Sequence, residues 1–180
     1  MKLSSFVIAV VTLCASPATA QTIAIHPGEA LVVRFDHGAA VVEQRGPAAP
    51  ITRYEVYALW RAESQDVPAG AKVVPPGFLE EGEGPPNPPH PSGDTLQITM
   101  RRVPGVKQGS ADNTALFLSN GYASGVRYLA LMRSGERFAP TDVCDLAPHL
   151  LGLEHWPYEI DELDLSDLRL IGWSGSIQCG

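Results

Sequence analysis

Beyond its first twenty residues the chain has no apolar run approaching the roughly 20 residues that a membrane-crossing helix needs, so no membrane anchor is expected in the mature protein. Basic residues are scarce: 13 Lys and Arg stand against 20 Asp and Glu, a formal net charge of -7. Nucleic acid or an anionic membrane surface would be approached against repulsion, and neither is an expected partner. Cysteine is rare, with three in 180 residues and no Cys-x-x-Cys pair, which argues against a redox-active dithiol. No internal repeat stands out, and strands do not alternate with long helical patterns, which argues against a parallel βαβ architecture.

What is present begins with an address. Lys2 precedes an apolar run over residues 6–15, about half a membrane span, and Ala18-Thr19-Ala20 places small residues where a signal peptidase reads. Residues 1–20 are expected to be a signal peptide cleaved after Ala20, leaving 21–180 as one domain in the periplasm or outside the cell. Cys14 would leave with the leader, and the Leu13 before it does not suit lipidation. Cys144 and Cys179 remain, an even pair in a compartment where disulfides persist, and they are expected to be bonded.

The mature chain reads as β. Residues 29–35 and 39–44 are expected to form a hairpin about Asp36-His37-Gly38, where glycine supplies a positive φ. Residues 54–60 alternate Tyr54, Val56, Ala58 and Trp60 against Glu55, Tyr57 and Leu59, and predict a strand. Residues 95–101 alternate cleanly, with Leu96, Ile98 and Met100 on one side. Residues 114–119 are apolar on both faces, as in a central strand. Residues 125–133 set Val126, Tyr128, Ala130 and Met132 against Leu129 and Leu131. Shorter strands are expected at 22–26, 162–165 and 168–173, and a helix of one or two turns at 148–154, where Pro148 suits the first turn. The fold class that follows is all-β, an antiparallel β-sandwich or small barrel with at most one short helix.

Residues 62–94 hold Gly84-Pro85-Pro86-Asn87-Pro88-Pro89-His90-Pro91 and predict a long Pro/Gly-rich insertion between strands, extended or without regular structure. Charge is zoned: 95–140 is basic and 141–180 is acidic, which predicts basic and acidic strands lying side by side.

Candidate chemistry is sparse. His149, Glu154 and His155 are the one local cluster of metal-type ligands, yet on a helix they would sit roughly 120 to 140° apart, where zinc-binding helices place two histidines on one face. The run 161–167 carries carboxylates for calcium but lacks the glycine and terminal glutamate of a calcium loop, and reads as a solvated strand edge. Gly172-Trp173-Ser174-Gly175-Ser176 misses the G-x-S-x-G nucleophile pattern at its last position. Trp156 and Tyr158 are candidate contact aromatics, since exposed rings offer large contact area at low entropy cost. The expectation is a binding or assembly module with no cofactor, facing a protein or carbohydrate partner. The alternative is a hydrolase or metal-binding protein using His149, Glu154 and His155.

Overall fold

A computed structural model describes residues 21–64, 86–91, 93–104 and 112–180. The expected leader and its expected cleavage after Ala20 lie outside these residues, as does most of the Pro-rich insertion. Two antiparallel sheets pack face to face as a β-sandwich. One has the order β1-β9-β6-β7, the other β3-β2-β4-β5-β8.

The hairpin forms as its pattern demands. In β2 (Glu29–Asp36) Leu31 and Val33 face the core, and β3 (Ala39–Pro47) returns after a two-residue turn. His37 and Gly38 have φ of 48° and 84°, the paired positive values of a type I′ turn, whose twist matches the strands it joins. Pairing shifts by one residue between Val32 and Val33, leaving Glu43 as a bulge. β4 (Leu96–Val103) buries Leu96, Ile98 and Met100 completely, and β5 (Asn113–Asn120) buries Leu116 and Leu118 opposite them. From the other sheet, β1 (Ile23–Ile25), β6 (Gly125–Ser134) and β9 (Glu162–Ile171) contribute Ile25, Val126, Leu163 and Leu165 to the same core.

Three expectations need correction. Residues 54–60 are not a strand but part of α1 (Arg53–Ser64). Thr52 and Glu55 form a reciprocal capping box: Glu55 N–H donates to Thr52 Oγ1 at 3.2 Å and Thr52 N–H to Glu55 Oε2 at 2.7 Å. Val56 and Leu59, three apart, make the buried stripe, and Leu59 packs on Val103 and Ala115 across the outer face of the β4–β5 pair. The helix runs to Ser64, into the segment expected to be irregular, whereas Pro86–Pro91 carries neither helix nor strand. Second, residues 148–154 are not helical. His149 takes a φ of 52° and the chain enters β8 (Leu151–Trp156), which pairs along β5. Sheet pairing outweighs a local preference for one helical turn. Third, the expected strands at 162–165 and 168–173 are one strand, β9, bulged where Asp167 has a φ of 52°. β9 lies between β1 and β6, so the run 161–167 is not a sheet edge. A further strand, β7 (Arg137–Thr141), has no signature in the sequence, because Arg-Phe-Ala-Pro-Thr has no alternation of apolar and polar residues.

The zoned charges meet as expected. Arg133 and Glu162 are register partners on β6 and β9, with an N···O distance of 2.6 Å. The Cys144–Cys179 disulfide is present. Backbone bonds join Val143 to Gly180 and Asp145 to Gln178, so the C-terminus lies antiparallel beside residues 143–145 and the bridge links the pair between them.

Candidate functional site

The two sheets differ in what covers their outer faces. On the β3-β2-β4-β5-β8 sheet, α1 lies over Ala115, Phe117 and Leu153. The outer face of the other sheet has no such layer among the described residues. Alternation along β6 turns Val126, Tyr128 and Ala130 inward and Leu129 and Leu131 outward. Leu131 pairs with Pro140 and Arg133 with Phe138, so Leu129, Leu131, Phe138 and Pro140 share one face of the β6–β7 hairpin. Leu129 is 51%, Leu131 37% and Phe138 60% exposed.

The hairpin is held at both ends. At its tip Gly135, with a φ of 60°, closes the turn. Gly135 N–H donates to Asp161 Oδ2 and Arg102 Nη2 to Asp161 Oδ1, both at 2.8 Å. The Gly135 bond, aided by Arg102 and Arg133, holds the Asp161 carboxyl below the ordinary range. At the other end Arg127 forks onto Asp145 at 2.8 and 2.6 Å and also reaches Gln178 Oε1. That hydrogen-bonded pair likewise lowers the Asp145 carboxyl. A surface fixed this way loses little conformational freedom when it is covered. Beneath the hairpin an open cleft of about 520 Å³ is lined by Met132, Ser134, Arg137, Ala139, Tyr158 and Glu159.

The residues singled out by sequence do not meet. His149 is exposed in the turn before β8. Glu154 and His155 are consecutive on β8 and point to opposite faces. Glu154 turns inward, where its Oε1 accepts from Cys144 N–H at 2.8 Å and Tyr128 O–H at 3.3 Å. The His155 ring lies 3.3 Å from Asn113 Nδ2. Among the described residues no group of three His, Cys, Asp or Glu side chains is placed to hold a metal ion. Trp156 is buried and donates Nε1–H to Thr141 Oγ1 at 2.7 Å, which makes it a core residue in this fold. Tyr158 is exposed at the cleft, with its hydroxyl 3.6 Å from Met132 Sδ. Ser174 and Ser176 sit on an exposed irregular segment after β9, with no helix following. Phe138 and Pro140 have no signal, since nothing in their local sequence marks a strand; Leu129 and Leu131 are visible as an apolar pair on the face opposite Val126, Tyr128 and Ala130.

Burial pushes the Glu154 carboxyl above its ordinary range, against the lowering effect of the Cys144 and Tyr128 bonds. A raised folded-state value means that protonation favours folding. The contribution is full below the ordinary carboxyl range and is lost as pH rises through the raised value. Glu154→Gln keeps an acceptor and removes the charge. The variant is expected to melt above the parent at pH 7, with the gain vanishing below about pH 4, where glutamate is protonated in both states. Paired thermal scans at the two pH values check this; a gain that grows on acidification contradicts it.

Compared with protein-family models, curated protein sequences and solved structures, the chain matches none.

Proposed function

We propose that residues 21–180 are exported and act outside the cytosol as a non-catalytic binding or assembly module. In this reading the module docks a protein partner on the outer face of the β6–β7 hairpin. The observation that carries the reading is the contiguous patch of Leu129, Leu131, Phe138 and Pro140 on a sheet face that, among the described residues, has no helix layer like that on the other sheet. Exposed aliphatic and aromatic side chains on a rigid sheet suit a protein surface, because covering them releases water at little cost in ordering. A carbohydrate platform fits less well, since the patch holds one ring, Phe138, for a sugar face to stack on. Export is supported by the leader pattern and by the Cys144–Cys179 bridge, which persists in oxidising compartments. A hydrolase built on His149, Glu154 and His155 needs them in one cleft, and strand alternation separates Glu154 from His155.

Hydroxyl-radical footprinting of the protein in its native compartment and after purification tests this. Leu129, Leu131 and Phe138 are expected to be labelled several-fold less in place than when purified, while Val41, exposed on the other sheet, is labelled equally in both. Equal labelling of the patch in the two samples would overturn the docking face. Turnover of an ester, glycan or peptide abolished by a single substitution would overturn the non-catalytic reading.

A further inference from the structure

Four strands end the two sheets, and three of them are guarded by short length, a bulge or proline. β1 is three residues long. β3 carries a bulge at Glu43 together with Arg45 and Pro47. In β7 the closing pair Ser134–Arg137 of the two-residue hairpin is hydrogen-bonded, so three steps of alternation leave Pro140 directing its backbone nitrogen away from β6, with no N–H to offer. Short length, bulges, charge and proline are the usual devices that stop an edge from taking another strand.

β8 is six residues long and carries neither bulge nor proline, and its one guard is the inward carboxylate of Glu154. Asn120 N–H donates to Leu150 C=O at 3.0 Å, which makes Leu118–Gly152 and Leu116–Glu154 the hydrogen-bonded pairs with β5. The N–H and C=O groups of Leu151 and Leu153 therefore point away from β5, with no partner strand among the described residues. Residues 143–147, across the cleft, direct their backbone away from the β8 main chain: Leu146 exchanges both bonds with Val126 at 2.9 Å, Asp145 bonds Gln178, and Cys144 N–H goes to the Glu154 side chain. Between that chain and β8 a cleft of about 220 Å³ remains, lined by Leu118, Leu146, Gly152 and Leu153. Leu150 and Ile177, 54% and 62% exposed, also line it. The ionisable groups lining it are Asp145 and Glu154. Asp145 is neutralised by Arg127 at 2.6 Å, whereas among the described residues Glu154 is met by the neutral donors of Cys144 and Tyr128.

We propose that the free edge of β8 and the cleft beside it accept, by strand addition, an extended partner peptide that alternates apolar residues and carries one lysine or arginine for Glu154. Main-chain bonds to Leu151 and Leu153 give affinity, and the leucine-lined cleft takes alternate side chains. Glu154 supplies selectivity, because an inward carboxylate penalises an all-apolar strand and is complemented by a cation. A second copy of the chain brings its own Glu154 to the same edge, so self-pairing is opposed by like charge.

The test uses nine-residue peptides alternating valine and threonine, with lysine, norleucine or glutamate at the centre. Affinity is read by anisotropy, and amide exchange at Leu151 and Leu153 by NMR. The lysine peptide is expected to bind at least tenfold more tightly than the other two and to slow exchange at both amides. Glu154→Gln is expected to erase the preference for lysine over norleucine, and Leu153→Pro to abolish binding. The proposal is overturned if the lysine peptide does not bind, if the three peptides bind alike, or if both amides are already protected in the free protein. Protection that rises with protein concentration in the absence of peptide would assign the edge to a second copy and overturn it too. The readout lies on β8 and is independent of the Phe138 face, so either surface can fail without the other.

Discussion

Replacing Cys144 and Cys179 together by serine is expected to lower stability by about 3 to 4 kcal/mol, the denatured-state entropy regained when a loop of this length is opened. The bridge spans 35 positions in sequence. In a domain of this size that loss corresponds to a fall in Tm of about 8 to 15 °C. The native contacts of the C-terminus explain why the bridge matters locally as well. Residues 178–180 hold to the sheet by backbone bonds at Val143 and Asp145, with the side-chain bond from Arg127 to Gln178 beside them. A two-rung ladder at a chain end frays readily without a covalent tie. Denaturant unfolding of the double variant should therefore also show faster amide exchange at Val143 and Asp145. A loss under about 1 kcal/mol would mean that the reduced, unfolded chain is already constrained in that loop, contrary to the model behind the estimate.

The second large effect separates the two faces of one pair of strands. Leu165 on β9 is fully buried opposite Ala130, and Leu129 is half exposed opposite Ser166, one rung away. Leu165→Ala removes methyl groups from the centre of the sandwich and leaves a cavity, so about 2 to 5 kcal/mol of stability should be lost. Leu129→Ala, the same chemical change on the outer face, should stay within about 0.5 kcal/mol. Urea unfolding of both variants decides the matter. A comparable loss at Leu129 would mean that something covers that face in the isolated protein, and the docking patch would then be part of the fold.

Much of the sandwich was legible because burial on one side of a sheet writes itself as period two. The strand about Leu96, Ile98 and Met100, the hairpin around His37-Gly38 and the doubly apolar β5 all carry that signature. The errors have specific physical origins. Residues 54–60 alternate by coincidence, while the stronger local signal, Thr52 three residues before Glu55, marks a helix start. Pro148 suggested a helix, yet β5 still needed a partner on its second side, and residues 151–156 supplied it. β7 left no trace, since an edge strand open to water on much of its surface is under little pressure to alternate. The candidate site was half legible for the same reason. Leu129 and Leu131 show as an outward pair within β6, but Phe138 and Pro140 join them only through the pairing register. Trp156, by contrast, has the composition of a contact residue and the surroundings of a core residue: burial depends on where β8 falls in the sheet, which its own neighbours in sequence do not reveal.

The most direct test of the account is site-specific photo-cross-linking of the protein in cells, with the probe at position 138 and, separately, at position 41. From 138 one recurrent protein adduct of fixed mass is expected, reduced several-fold by Leu129→Ser with Leu131→Ser, while the melting temperature stays near that of the parent. Position 41 is expected to yield no such adduct. The same adducts from both positions, or none from 138, would contradict a docking surface on the β6–β7 hairpin.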